Sequence, residues 1–264
     1  MDRQALTEAR QARLSVFPHA QLKSLRETVG KVPYAPWPEI NGCLAVLFTA
    51  RSGSTFLISA IEKSFAVGRM GESLNPAMVK AQPAAKIVRR RAGEWFAFKA
   101  GVPGVVAGEI CGFFSQYLPQ TSFMRLVRRD IVAQAVSFAK AEQTERWHLE
   151  DQANRTAIYD RPSIAKAVNN IVRGAACLKD YAACTGRPSY LVAYEDFAEG
   201  DFGTVFAACD AIGVPRRQNE PESEGRAVEK MSDAVNDEWR SRFIAEMRPH
   251  TRERIEQYQE LIQS

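Results

Sequence analysis

Paired cysteines and clustered histidines are missing from this sequence of 264 residues. No two cysteines form a CxxC pair, and an odd, scattered set is typical of reduced thiols in a cytosolic protein: Cys43, Cys111, Cys177, Cys184 and Cys209. The histidines number only three, and none lies near a cysteine. We therefore expect no zinc site and no other metal.

Long apolar runs and a strong net charge are also missing. The longest apolar run, CLAVLFTA, is far shorter than the roughly 20 residues that span a bilayer. The charged opening MDRQALTEARQARL has no apolar core of signal-peptide type, so we expect a soluble, cytoplasmic protein. That leaves open a substrate at a membrane surface. The net charge of +4 is too mild for nucleic-acid binding and favours a local anionic ligand.

Apolar strands alternate with amphipathic helices along most of the chain. We predict a helical lead-in over residues 1–40 and a single domain over 41–264, with a polar loop at 216–236 that is a candidate lid. Strands are predicted at 43–48, 96–102, 122–127 and 189–194, and helices at 55–64, after Asp130, at 163–183 and at 203–212. This alternation predicts an α/β fold with three layers, in which helices flank a central, mostly parallel sheet.

The first strand runs into the loop ARSGST, which leads into a helix. Backbone N–H groups of such a loop and a helix N-terminus point at one place, which suits a cluster of anionic oxygens. The loop lacks the lysine of a Walker A motif, so ATP or GTP with magnesium is disfavoured. A plain helix cap formed by the small polar residues is the alternative.

A second basic residue and hydroxyl follow a later strand, in LVRRDIVAQAVSF. Arg129 and Ser137 are eight residues apart, or about 12 Å along a straight helix. They can share one ligand group only if Arg129 lies in the turn and folds back.

The two motifs together resemble the sulfotransferases that use 3′-phosphoadenosine 5′-phosphosulfate (PAPS). ARSGSTFL and RRDIVAQAVSFAKAEQTERW are similar, more narrowly, to the bacterial carbohydrate sulfotransferases of the trehalose 2-sulfotransferase type, with nodulation-factor sulfotransferases as relatives. The resemblance covers roughly Leu44 to Trp239. It implies a P-loop-like domain and a metal-independent transfer of a sulfuryl group from PAPS to a carbohydrate or glycolipid hydroxyl, with PAP as product.

The resemblance implies that Ser52, Gly53, Ser54 and Thr55 cradle the 5′-phosphosulfate. Arg51 would lie beside the bridging oxygen, where many sulfotransferases have a lysine. A guanidinium cannot act as a general acid near neutral pH, so the contribution of Arg51 would be electrostatic.

The same resemblance implies that Arg129 and Ser137 hold the 3′-phosphate. Tyr194, in VAYEDF, would lie near the adenine. Arg226 and Lys230, in the polar loop, are candidates for closing over the 3′-phosphate.

Glu72 lies 21 residues after Arg51, as the trehalose-type enzymes place a glutamate. By resemblance Glu72 binds the acceptor and takes the proton of its hydroxyl. Lys99 would meet the sulfonate or the acceptor, and the indole of Trp147 would stack on a sugar. For each, a solvated or packed side chain without a ligand is the plain alternative.

Two other functions remain open at this point: a nucleotide kinase or hydrolase with a degenerate phosphate loop, and a non-catalytic nucleotide-binding module. The acceptor is not identified, because the loops that would select it, 72–95, 101–120 and 144–162, match the family least. The pattern neither requires nor excludes a homodimer.

Overall fold

The computed structural model describes residues 3–29, 39–76, 79, 94–147, 155–218 and 234–263. The described strands are β1 (Gly42–Phe48), β2 (Val67–Gly71), β3 (Trp95–Ala100), β4 (Thr121–Val127) and β5 (Ser189–Ala193). The described α-helices are α1 (Arg3–Leu14), α2 (His19–Val29), α3 (Ser54–Ser64), α4 (Val102–Ile110), α5 (Phe113–Tyr117), α6 (Ile131–Thr144), α7 (Arg161–Cys184), α8 (Gly203–Ile212), α9 (Ala234–Ala245) and α10 (Pro249–Gln263). Two short 3-10 turns are Leu118–Gln120 and Tyr194–Asp196.

The five strands form one sheet in the order β2-β3-β1-β4-β5. Every pairing is parallel, and β1 lies in the centre, with Leu44 opposite Ala97 of β3 and Ser122 of β4. Helices cover both faces of the sheet, so the predicted three-layer α/β architecture is confirmed.

Side chains of the central strand alternate between two separate cores, as the period of a strand requires. Cys43, Ala45 and Leu47 join an apolar core with residues of α1, α2, α4, α5 and α7. Leu44 and Val46 join a second core on the opposite face, packed against α3 and α8. A third core holds α6, α7, α9 and α10 together beyond β4 and β5.

The lead-in helices are fixed to the domain by a buried ion pair. Arg13 on α1 donates from Nε and Nη2 to the two carboxylate oxygens of Glu109 on α4, at 2.6 and 3.0 Å. Tyr181 on α7 donates to the same carboxylate at 2.8 Å, and Glu109 is fully buried. This contact holds α1, α4 and α7 in one arrangement.

The carboxyl ends of parallel strands meet at one edge of the sheet, which is where open α/β sheets bind ligands. The loop after β1, residue Lys99 near the end of β3, the turn after β4 and Tyr194 after β5 all lie at this edge. None of the described helices is both long enough and apolar enough to cross a membrane.

Candidate active site

A cavity of about 1340 Å³ opens at the carboxyl edge of the sheet. Its lining includes most of the site residues predicted from the sequence: Arg51, Gly53, Ser54, Thr55, Glu72, Lys99, Ser137, Trp147 and Tyr194. Ser52 and Arg129 are the predicted residues that do not line it. Residues Arg226 and Lys230, and most of the predicted 216–236 loop, lie outside the described residues.

The loop between β1 and α3 is tightly turned. Arg51 and Gly53 both have left-handed backbone angles, with φ of 64° and 88°. A Cβ on Gly53 would lie 2.4 Å from Cδ2 of Tyr194, so the ring packs directly against the glycine. No side chain in the described ranges caps the N-terminus of α3, which argues against the loop serving only as a helix cap. The Ser52 hydroxyl is buried without a hydrogen-bond partner within the described part of the chain.

Gln134 on α6 holds this loop in place. Its Nε2 donates to Oγ1 of Thr49 at 2.9 Å and to the carbonyl of Ala50 at 2.7 Å. The Gln134 side chain is completely buried. The loop after β1 is therefore bonded to the helix that follows β4.

Arg51 makes the second link between these elements. Its Nε donates to Oγ of Ser137 at 2.9 Å, and its Nη1 donates to the carbonyl of Trp147 at 2.7 Å. Burial and the neighbouring positive charges of Arg128 and Arg146 lower the pKa of the Arg51 guanidinium. Like charges held this close are stabilised by a bound anion.

Glu72 and Lys99 meet at the ends of the neighbouring strands β2 and β3. The Lys99 Nζ lies 3.0 Å from a carboxylate oxygen of Glu72 and donates to Oγ1 of Thr55 at 2.7 Å. The Lys99 side chain is 9% exposed, whereas that of Glu72 is 42% exposed. Lys99 therefore connects the start of α3, just after the β1–α3 loop, to the Glu72 carboxylate, which remains open to the cavity.

The structure brings Arg128, rather than Arg129, to the cavity. Arg129 lies in the turn, as its predicted role requires, but its Nη1 pairs with Asp196 at 2.6 Å and its side chain is 53% exposed. The Arg128 guanidinium lies 4.8 Å from the ring centre of Tyr194. Its Nε is buried without a hydrogen-bond partner among the described residues.

The backbone of this turn is fixed by residues far away in sequence. The Glu195 carboxylate accepts from the N–H groups of Arg129 and Asp130, at 2.9 and 3.2 Å. The Tyr258 hydroxyl on α10 donates to the carbonyl of Arg128 at 3.1 Å. These contacts decide which of the two arginines faces the cavity, and the local sequence carries no signal for them.

Asp130 begins α6 as predicted, because its carboxylate accepts from the N–H of Ala133 at 2.9 Å. The other carboxylate oxygen pairs with Nε of Arg240 on α9 at 2.8 Å. Asp130 thereby ties α9, which also lines the cavity, to the start of α6.

Two aromatic side chains line the cavity near the arginines. Tyr194 packs between Gly53, Arg128 and the ring of Phe197, whose centre lies 5.7 Å away. Trp147 is 40% exposed, and its ring centre lies 5.9 Å from that of Phe138. Packing holds the Tyr194 ring at the cavity wall, whereas the indole of Trp147 is more exposed.

Residues of α2, α4 and α7 also line the cavity. Sequence patterns give no hint that the lead-in contributes here, but Pro18 and Gln21 of this region are lining residues. Gln21 is half-buried and its amide can both donate and accept hydrogen bonds.

In the part of the chain that the structure describes, no group of three or more His, Cys, Asp or Glu residues is arranged to hold a metal ion. All five cysteines are free thiols.

Residues 102–246 match the family model described as Stf0 sulphotransferase. The chain is 29% identical over 126 residues to a trehalose 2-sulfotransferase of Mycobacterium tuberculosis (strain ATCC 35801 / TMC 107 / Erdman). That match covers 47% of this chain and 46% of the relative, so the chain spans about half the length of this curated protein.

Two solved structures show weaker likeness. One is the sulfotransferase domain of the Synechococcus PCC 7002 olefin synthase, with 16% identity and a TM-score of 0.42 over 80% of this chain and 90% of that one. The other is retinol dehydratase in a complex with retinol and PAP, with 13% identity and a TM-score of 0.31 over 98% and 95%.

Proposed function

Because the chain belongs to the Stf0 sulphotransferase family, we propose that it transfers a sulfuryl group from PAPS to a hydroxyl of a carbohydrate or glycolipid. The observation that carries this proposal is the contact of Lys99 with both Glu72 and Thr55. It joins a loop suited to an anionic donor with a carboxylate that is open to an acceptor.

The residues at the arginine end of the cavity fit a nucleotide with phosphates at two positions. The uncapped N-terminus of α3 and the guanidinium of Arg51 suit the 5′-phosphosulfate. Arg128 has a buried Nε without a described partner, so we assign the 3′-phosphate to Arg128 and Ser137. Arg129, by its pairing with Asp196, would order the turn instead.

The remaining donor contacts follow from the loop and the aromatic residues. Gly53, Ser54 and Thr55 would supply backbone and hydroxyl donors to the phosphosulfate, and Tyr194 would contact the adenine. Ser52 is fully buried and does not line the cavity, so we assign it no direct contact with the donor.

The donor supplies the sulfuryl group, and the residues of the chain supply the proton acceptor and the positive charge. Glu72 would take the proton of the acceptor hydroxyl while the hydroxyl oxygen forms a bond to sulfur. The bond between sulfur and the phosphate oxygen of the nucleotide, in line with the new one, would break. Lys99 and Arg51 would stabilise the negative charge that grows on the sulfuryl and phosphate oxygens. Trp147 would stack on the acceptor sugar.

The experiment that tests this proposal incubates the purified chain with PAPS and a panel of sugars that includes trehalose. PAP and a sulfated product should both appear, measured by mass spectrometry, and PAP alone should bind in calorimetry. A chain that binds no PAP, or that releases PAP without sulfating any acceptor on a broad glycan panel, would contradict the proposal.

A further inference from the structure

A second groove, of about 710 Å³, lies between α7 and α10. Four of the side chains that line this α7–α10 groove can carry charge at the ends of long flexible stems, and a fifth is a histidine: Lys166, Arg173, Glu253, Arg254 and His250. With the histidine neutral, three positive charges face one negative charge. The groove therefore favours an anionic ligand.

The α7–α10 groove shares lining residues with the active-site cavity. Asn170 and Arg173 line both of them. Gly174, the next residue, also lines the active-site cavity, and a Cβ there would lie 3.1 Å from Thr49 and 3.9 Å from Val102. One side of α7 thus begins beside the catalytic edge of the sheet and leads outwards into the groove.

The spacing along α7 places several of these lining residues on one face of the helix. Gly174, Asn170 and Lys166 recur every four residues and so lie on one face. Arg173 and Lys166 are seven residues apart, which is about 10 Å along the helix. A ligand longer than one sugar can therefore extend along α7 from the active-site cavity into the positive groove.

The cations of the α7–α10 groove form no ion pair within the described part of the chain. Lys166 and Arg173 are exposed, and neither forms an ion pair with any described residue. Among the described residues, the side chain of Arg254 bonds to a neutral side chain alone, donating to Oε1 of Gln257 at 2.8 Å. Their charges remain available to a ligand.

We infer that the acceptor is an acidic oligosaccharide, whose carboxylate or ester anion docks in the α7–α10 groove while a hydroxyl further along lies at Glu72. The inference rests on the proposed function and narrows its acceptor class. Arg173, which lines both the cavity and the groove, would bind the anionic group nearest to the reacting hydroxyl.

The test compares tetragalacturonate with the same tetrasaccharide after its carboxyl groups are reduced to alcohols. Binding to the full chain loaded with PAP is measured by calorimetry in 50 and 300 mM salt. We expect the acidic form to bind about 5-fold or more tightly at low salt, because each exposed pair contributes modestly. At the higher salt concentration, the difference in affinity between the acidic and reduced forms should be smaller. Equal affinity for the two forms would overturn the inference.

The groove variant is Lys166→Gln with Arg173→Gln, and its control is Lys63→Gln with Arg252→Gln. The control makes the same substitutions at exposed positions that line neither cavity. The preference should vanish in the groove variant and persist in the control, and its survival in the groove variant would contradict the inference.

PAP binding separates this inference from the function on which it rests. If wild-type protein binds no PAP, the proposed function fails, and the preference for the acid is then measured on the protein alone. If the groove variant loses PAP affinity while the control keeps it, Arg173 or Lys166 serves the donor, and the inference is wrong.

Discussion

The Nε of Arg51 donates a hydrogen bond of 2.9 Å to the Oγ of Ser137, although the two residues are 86 positions apart in sequence. One lies in the loop after β1 and the other on the helix after β4. Two motifs that the sequence presents separately are therefore parts of one site. Because both motifs line the same cavity, one ligand can contact both of them.

Replacing Glu72 by Gln should lower kcat by about 100-fold or more, because an amide cannot take the proton of the acceptor. PAP affinity should stay within about twofold, since the side chain is 42% exposed and lies at the acceptor end. Steady-state kinetics and calorimetry measure the two effects. Glu256→Gln, on the exposed side of α10, is the control, and kcat near wild type in E72Q would rule out Glu72 as the base.

The neighbouring arginines give opposite expectations for nucleotide binding. Arg128→Gln should weaken PAP binding by about 10- to 150-fold, the value of a charged hydrogen bond, and should barely affect AMP, which lacks the 3′-phosphate. Arg129→Gln should leave PAP binding within about threefold, because its side chain pairs with Asp196 outside the cavity. Titration of both nucleotides against both variants measures this. A selective loss of PAP in R129Q alone would return the 3′-phosphate to Arg129.

Gly53→Ala tests the close packing of the loop between β1 and α3 against Tyr194. The control is Gly213→Ala. Gly213 also has a left-handed backbone, with φ of 86°, but a Cβ there would meet nothing within 4 Å. Gly213→Ala should cost about 1 kcal/mol of unfolding free energy from the backbone alone. Gly53→Ala should cost about 1 kcal/mol more and should weaken PAP binding, because the ring must move. Equal effects of the two substitutions, measured by urea unfolding and calorimetry, would show that the ring contact is unimportant.

The buried pair of Arg13 and Glu109 predicts a large loss of stability. Glu109→Gln leaves a guanidinium buried without its counter-charge, and should cost about 3–5 kcal/mol of unfolding free energy. Asp210→Asn removes the partner of Arg216 from a pair of similar geometry whose side chains are 44% and 47% exposed. It should cost less than about 1 kcal/mol. Urea unfolding compares the two, and a similar cost for both would contradict the role given to burial.

The sequence predicts four of the five strands because their apolar runs are continuous and bounded by polar turns. The apolar pattern does not predict the strand Val67–Gly71, because two glycines and an exposed arginine interrupt a run of only five residues. The predicted strand 96–102 is too long, since Val102 already begins α4. That helix is hidden by its proline and glycines, yet Gly108 is needed there, as a Cβ would lie 2.7 Å from Phe114.

Most of the site residues that the sequence predicts do line the cavity, because loops that follow parallel strands must meet at one edge. Sequence reasoning chose Arg129 for the 3′-phosphate, whereas Arg128 is the arginine of this turn that lines the cavity. Which arginine faces the cavity depends on Glu195 and Tyr258, which bond to the backbone of the turn from 65 and 130 positions away. It also gave no sign of Gln21, whose place in the cavity wall depends on how α2 packs.

The buried amide of Gln134, bonded to Thr49 and Ala50, has a consequence for how this site can diversify. It joins the loop after β1 to the helix after β4, the two elements to which we assign the anionic groups of the donor, so this part of the cavity should lose little conformational entropy on binding. Other lining residues come from α2, α4 and α7. New acceptor preferences should therefore arise from changes in α2 or the outer face of α7 without altering the geometry of the proposed nucleotide end.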